Sequence, residues 1–332
     1  MCIERDNQTM KIVAAEIDSV GNDIDYRSLE KLGDVTFYKD KVTAENAEER
    51  LTGADVLCIN KSKITTDILK KAPSLKLICE FATGFDNVDI KACKECGIKV
   101  ANVAGYSTAS VAQHTFALLF YVMEALKDYD EFVKSGEYAS QSHFCKLDIP
   151  FHELDGMTWG IIGMGNIGRK VAQIATAFGA KVIFYSASGR TANSKDDEAY
   201  EMVSFDELLE RSDVLSLHCP LTDKTRDIIN MDALKKMKKS AILINVARGP
   251  VVNEEDLVKA LEDGEIAAAG LDVLTVEPMK KDSPLLRIQD SKKLFVTPHM
   301  AWASVEARSR CVEEVAKNIL AFEKGEARNI VG

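Results

Sequence analysis

Three ionisable residues follow three short apolar runs in the C-terminal half of the chain: Arg248 after AILINVA, Glu277 after GLDVLTV and His299 after LFVTP. A guanidinium is a planar fork that grips a carboxylate through two charge-assisted hydrogen bonds. An imidazole titrates near neutral pH, so it can give a proton to a carbonyl oxygen during reduction and take it back in oxidation. A neighbouring carboxylate favours the imidazolium and holds the ring in one orientation. Arg248 is wedged between an apolar run and Gly249-Pro250, a poor place for an idle solvated charge; Glu277 precedes Pro278 and by itself suits a surface turn equally well. The other histidines are placed differently. His218 runs into Cys219-Pro220-Leu221-Thr222, His114 lies in a helical pattern as a core or interface residue, and His143 and His152 fall in connecting segments.

A second chemical signal is GIIGMGNIGRKVA, with Gly163, Gly165 and Gly168 between an apolar strand and a helix, and Asn166 and Ile167 inside the turn. The first glycine permits the tight turn, the second admits a pyrophosphate to the backbone, and the third lets helix and strand pack closely. In that context the motif points to a dinucleotide. The end of the next strand reads Ser186, where an acidic residue would select an unphosphorylated ribose. Ser186, Ala187, Ser188 and Gly189 lead to Arg190, a hydroxyl-rich loop with a guanidinium suited to a 2′-phosphate. This leans towards NADP(H) and leaves NAD(H) open, because serine-lined loops accept either ribose.

The elements that must carry these groups alternate between β-branched runs and amphipathic stretches, as βαβ units and parallel sheets do. The first series is Lys11 to Ala15, Asp34 to Phe37, Val56 to Ile59, Leu75 to Glu80 and Lys99 to Asn102. A long helix is predicted from Ser107 to about Lys134, then a polar stretch from Tyr138 to Asp148. The second series has six strands: Thr158 to Ile162, Lys181 to Tyr185, Val214 to Leu217, Ala241 to Asn245, Ala268 to Asp272 and Leu294 to Val296. A final helix runs from Ser304 to Lys324. A chain of 332 residues suits two α/β domains.

Taken together, GIIGMGNIGR, SLHCPLTDKT, LINVARG, AAGLDV, VEP and TPHMAW resemble the D-isomer-specific 2-hydroxyacid dehydrogenase family, in the same order and over nearly the whole chain. The resemblance implies hydride transfer between a nicotinamide cofactor and a small D-2-hydroxy or 2-oxo acid. Arg248 becomes the substrate-binding arginine, Glu277 the orienting glutamate and His299 the acid/base. Asp272 becomes a nicotinamide contact, with Cys219, Pro220, Thr225, Val246 and Ala247 lining the cofactor cleft and Val111 near the nicotinamide. CEFATGFDNVDI resembles the family's substrate loop, in which N–H groups of Ala82, Thr83 and Gly84 hold the carboxylate with Arg248 and His299. Phe144, Lys146 and Trp302 are candidates for bordering the substrate side chain. Two Rossmann-like, doubly wound parallel-sheet domains are implied: residues 1-104 with 300-332 as a discontinuous, flavodoxin-like substrate domain and 105-299 as the dinucleotide domain. A homodimer is implied through the latter, with the helix from Val111 to Met123 contributing. Within the family, ATGFDNVD, YSTASVAQHTFALL and the segment Tyr138 to Pro150 look most like the glycerate dehydrogenase, or hydroxypyruvate reductase, subgroup. Rival readings are a D-lactate-type reductase, a nucleotide-sensing corepressor-like protein on the same fold, and an adenosylhomocysteine hydrolase-like enzyme. The short chain and the Arg, Glu, His order argue against the last.

Composition narrows the partners. Forty-two basic against fifty-two acidic residues leave a net charge of −10, with no basic run to track a phosphate backbone, so nucleic acid and anionic membrane are poor partners. The apolar stretch around Phe116 to Met123 is too short to span a bilayer, and MCIERDNQTM reads as a polar tail rather than a secretory signal. Eight scattered cysteines suit reduced thiols in a cytoplasmic protein; Cys93 and Cys96 form one isolated C-x-x-C on a helix, read as structural, and the chemistry calls for no metal.

Overall fold

The β-branched runs of the first series become parallel strands in a computed structural model that describes residues 9–189 and 199–332. They are β1 (Lys11–Ala14), β2 (Asp34–Phe37), β3 (Val56–Ile59), β4 (Leu77–Glu80) and β5 (Lys99–Ala101). Every residue of β3 and β4 is buried, as expected of central parallel strands covered on both faces. These strands belong to one compact unit, up to Ser107 and again from Ala303 to Gly332; residues Thr108 to Trp302 form the other.

In the second unit the strands are β6 (Thr158–Ile162), β7 (Lys181–Tyr185), β8 (Glu201–Met202), β9 (Val214–Leu217), β10 (Ile242–Asn245), β11 (Ala268–Leu271) and β12 (Leu294–Val296). All pair in parallel in the order β12-β11-β10-β9-β6-β7-β8. The winding reverses between β6 and β9, which places a crevice beyond the carboxyl ends of the strands. Trp159 is fully buried on β6, its indole N–H donating to Ser216 Oγ at 2.8 Å.

The last strand, β13 (Ile330–Val331), returns to the first unit and pairs antiparallel with β5, giving the order β13-β5-β4-β3-β1-β2. The long helix Val305–Glu323 packs on β4, its start capped by Ser304 Oγ accepting from the Ala307 N–H.

Three differences from the sequence reading have physical reasons. The single helix expected from Ser107 to Lys134 is two, Thr108–Met123 and Leu126–Lys134, because Ala125 is buried in the left-handed conformation (φ 50°) and turns the chain. The first has Val111, Phe116, Leu118, Leu119 and Val122 buried in its unit's core, whereas the second buries no residue. The second sheet has seven strands and the first six, because β8 and β13 are two-residue edge strands with no alternation to read. The stretch read as polar overlaps a short helix, Glu137–Ser140, and exposes the apolar side chains of Phe144 and Leu147, with Phe151 exposed just beyond it.

Candidate active site

Asp272, Arg248, Glu277 and His299 come from three neighbouring strands, whose register sets Asn245 beside Leu271 and Leu271 beside Val296. Beyond β10 the chain makes a tight turn. Asn245 closes it, its amide donating to the Arg248 carbonyl at 3.0 Å and its carbonyl oxygen accepting from the Ala247 N–H at 3.0 Å. Arg248 is half-buried in extended backbone, and its Nη1 donates to the Ala247 carbonyl at 2.8 Å. Gly249 lets this turn touch the loop after β11, since a Cβ there would lie 1.9 Å from the Leu274 carbonyl carbon. Leu274 in turn donates its N–H to Glu277 Oε1 at 2.9 Å, and Glu277 Oε2 lies 2.7 Å from His299 Nδ1. The arginine turn, the glutamate and the histidine are thus linked contact by contact.

His299 is a non-glycine residue at φ 56°, a conformation that costs free energy and persists where surrounding contacts hold it. Asp272 is the holder. Its carbonyl accepts the His299 N–H at 2.8 Å. Its buried carboxylate accepts from the Thr297 hydroxyl at 2.6 Å, the Met300 N–H at 2.7 Å and the Ala301 N–H at 2.9 Å. Burial acts to raise the Asp272 pKa, but hydrogen bonds from His114, Thr297, Ala301 and Met300 outweigh it, so the group stays below the usual carboxylate range and is charged. Because the Thr297 hydroxyl gives its one hydrogen to Asp272, the 2.9 Å contact from His114 Nε2 makes His114 the donor to Thr297 Oγ1. With Nδ1 of His299 facing Glu277, Nε2 is the nitrogen left to exchange a proton outward.

Beyond β6 and β7 the geometry fits a dinucleotide. Gly163 has φ 98°, and a Cβ would come within 2.8 Å of the Cys219 backbone N; a Cβ at Gly168 would meet the Gly163 carbonyl oxygen at 2.2 Å. A Cβ at Gly165, by contrast, would project into open space, which is what a pyrophosphate needs at the N-terminus of the helix Asn166–Ala177, where Asn166 and Ile167 lie in the first turn. Ser186 is half-buried with its hydroxyl 3.3 Å from that of Ser188. Arg190, the guanidinium read as a phosphate partner, lies outside the described residues. Beyond β9, Thr225 is buried and donates to the Pro220 carbonyl at 2.7 Å, shaping the Cys219–Pro220 loop from within. Burial pushes the Cys219 thiol up to about 11 and His218 down to about 3, so both are neutral at physiological pH. Val111, Val246 and Ala247 are buried in the unit's apolar clusters.

In the first unit, the loop after β4 carries Ala82, Thr83 and Gly84. The groups of Ala82 and Thr83 are engaged: the Ala82 carbonyl accepts from Val103 N–H, the Thr83 hydroxyl donates to the Val103 carbonyl, and the Thr83 carbonyl accepts from the Asn102 amide. Their backbone N–H groups donate to nothing among the described residues. Phe144 is 88% exposed, and Lys146 lies 4.1 Å from the Phe132 ring centroid and 3.4 Å from Asp148, so the described contacts of Lys146 are with neighbouring surface segments; Trp302 is half-buried against the second unit's core. The sequence gives Thr297 no role and reads His114 as a core or interface residue; their side chains meet Asp272 because helix Thr108–Met123 packs on β11 and β12, which local pattern does not encode. Among the described residues no cluster suits a metal ion, and no helix is long and apolar enough to cross a membrane.

Residues 116–301 match the family model described as D-isomer specific 2-hydroxyacid dehydrogenase, NAD binding domain. The chain is 40% identical over 312 residues to a hydroxypyruvate reductase of Blautia hydrogenotrophica, covering 93% of this chain and 95% of that protein. An acyclic imino acid reductase solved with NADPH and D-Arg superposes with a TM-score of 0.85 at 32% identity, covering 97% of this chain and all of that one. A D-lactate dehydrogenase of Aquifex aeolicus, solved with NAD and lactic acid, gives 0.81 at 32% identity, with 95% and 96% covered.

Proposed function

Because the chain belongs to the D-isomer-specific 2-hydroxyacid dehydrogenase family, we propose that Arg248, Glu277 and His299 reduce a small 2-oxo acid, hydroxypyruvate or glyoxylate, to its D-2-hydroxy acid. The chain is a nicotinamide-dependent oxidoreductase of this family. The observation that carries the residue assignment is the 2.7 Å contact of His299 Nδ1 with Glu277 Oε2, on a turn held by Asp272 and joined to the Arg248 turn through Gly249.

Arg248 binds the carboxylate and polarises the carbonyl of the acid. Backbone N–H groups of Ala82, Thr83 and Gly84 are proposed as further donors to that carboxylate, supported by their lack of other acceptors among the described residues. Held by the Gly163–Gly168 turn at the start of helix Asn166–Ala177, a nicotinamide dinucleotide would supply the hydride for C2. As the C=O π pair moves onto oxygen, His299 Nε2 gives up its proton to it, leaving a neutral imidazole that is reprotonated from water. Glu277, 2.7 Å from Nδ1, fixes the ring so that Nε2 faces the oxygen. Oxidation of the hydroxy acid runs the same proton back to His299.

The lean towards NADP(H) is kept as part of this proposal, supported by the absence of a carboxylate at Ser186 and by the paired hydroxyls of Ser186 and Ser188. A homodimer is proposed as well. The apolar face of helix Thr108–Met123 is occupied in its own core, so the better support is Phe144 and Leu147, 88% and 83% exposed. A cytoplasmic location fits the seven described cysteines, all free thiols. The experiment is the loss of NADH or NADPH absorbance with hydroxypyruvate, glyoxylate, pyruvate and phenylpyruvate in parallel. Preferred turnover of the first two supports the reading; preference for pyruvate makes the enzyme a D-lactate-type reductase, and cofactor binding without turnover overturns the catalytic assignment.

A further inference from the structure

Two buried carboxyl groups in the first unit take no part in the chemistry above. Glu16 follows β1 at φ 64°, a conformation that a non-glycine residue holds only under constraint. Its Oε2 accepts three backbone N–H groups, from Asn60 and Lys61 at 2.8 Å and Ser62 at 2.9 Å, which closes the turn after β3. Glu80, fully buried at the end of β4, accepts from the Asn87 amide at 2.9 Å through Oε1, and the same amide donates to the Ser62 carbonyl at 2.9 Å. Asn87 thereby ties the turn after β3 to the loop after β4, the loop that carries Ala82, Thr83 and Gly84. One oxygen on each acid, Glu16 Oε1 and Glu80 Oε2, is buried without a hydrogen-bond partner.

Glu80 Oε2 is buried without a partner and Oε1 takes a single amide, so an ionised Glu80 would carry a buried charge with little to solvate it. We propose that Glu80 is a positioning residue that keeps its proton and, through Asn87, locks the Asn60–Ser62 turn onto the Phe81–Asn87 loop. The donors are unequal: Glu16 Oε2 takes three backbone N–H groups, whereas Glu80 has one amide. The surroundings agree. Burial, opposed by the Asn87 hydrogen bond and assisted by Glu16, holds Glu80 up at about 9; Lys61 acts to lower it and Asp86 to raise it. Among the described residues the Cys79 and Cys311 thiols also sense Glu80, and both are neutral: the hydrogen bond with Cys58 and burial raise Cys79, and burial raises Cys311. The consequence for catalysis rests on the proposed role of Ala82–Gly84 in holding the carboxylate.

The sign is definite. A carboxyl whose folded pKa is raised binds a proton that the unfolded chain has lost, so its cost to stability grows as pH rises from about 4.5 to about 9. Glutamine reproduces the protonated form and has no such cost. The experiment compares the full chain with E80Q and E80L. The melting temperature of E80Q relative to wild type is expected to climb from about pH 6 to about pH 9. Wild type near neutral pH is expected to show the infrared C=O stretch of a buried protonated carboxyl, absent from E80Q. For hydroxypyruvate, E80L is expected to raise KM about five-fold, the weight of one positioned hydrogen bond, with kcat nearly unchanged, while E80Q restores KM. A melting difference flat with pH, or no protonated-carboxyl band in wild type, overturns the proton on Glu80, and the infrared measurement needs no variant to fold. Equal KM in E80L and wild type overturns the positioning role. If G84A leaves KM unchanged while the pH-dependent melting difference and the infrared band persist, the carboxylate-binding reading of that loop fails and the protonated Glu80 stands.

Discussion

Asp272 and Glu80 are both almost wholly buried carboxyls at the carboxyl ends of parallel strands, and they end in opposite charge states. Desolvation pushes both upward. Asp272 receives the Thr297 hydroxyl and two backbone N–H groups, with His114 behind them, and remains an anion; Glu80 receives one amide and is held by burial at about 9. Burial alone therefore does not decide ionisation here. The number of donors delivered by the surrounding turns decides it. The second sheet spends its donors on a charged group that holds a histidine turn, whereas the first uses a neutral acid to join two loops.

The sharpest way to separate the two edges is His299→Ala, expected to lower kcat about 10²-fold or more through loss of the proton donor, with modest change in cofactor affinity measured by fluorescence titration. Near-normal turnover would remove His299 from the acid/base role. Arg248→Ala is next: loss of a charge-assisted fork should cut kcat/KM for hydroxypyruvate by roughly 10- to 100-fold, about 1.5–3 kcal/mol, and steady-state kinetics checks it. Asp272→Leu leaves the Thr297, Met300 and Ala301 donors unsatisfied and should cost about 1–3 kcal/mol in denaturant unfolding, with lower kcat as the His299 turn relaxes. In the opposite sense to Glu80, Asp272 has a lowered folded pKa, so its stabilisation is present above the unfolded value and is lost as pH falls through the folded one. Acid titration of the variant against wild type shows this as a difference that shrinks at low pH. The smallest effect is expected from Thr297→Val, about 1 kcal/mol of stability and a few-fold in kcat, because Asp272 keeps its two backbone donors.

The parts of this arrangement legible in the sequence are those written in side-chain type. Gly163, Gly165 and Gly168 between strand and helix, and Arg248, Glu277 and His299 just past apolar runs, are visible because catalysis needs particular groups at strand ends. The role of Asp272 in holding the histidine turn was not visible, because two of its donors are backbone N–H groups that any residue at positions 300 and 301 would supply. Glu80 sits inside an apolar run and is tied to the turn after β3 only because β3 and β4 are neighbours, a strand order that the local pattern does not encode. Ala125 broke a helix that periodicity extended, since alanine is a strong helix former and gives no sign of a left-handed turn. The two-residue strands β8 and β13 offer no alternation to detect.

The central claim is that the linked Arg248, Glu277 and His299 turns perform proton-coupled hydride transfer to a small 2-oxo acid. The most direct measurement is the initial rate of NADPH and NADH oxidation with hydroxypyruvate and glyoxylate, wild type beside His299→Ala, with cofactor affinity determined for both proteins. Turnover in the wild type, lost in the variant while cofactor affinity is retained, is the expected result. Equal turnover in both proteins, or tight cofactor binding with no turnover in the wild type, would contradict it.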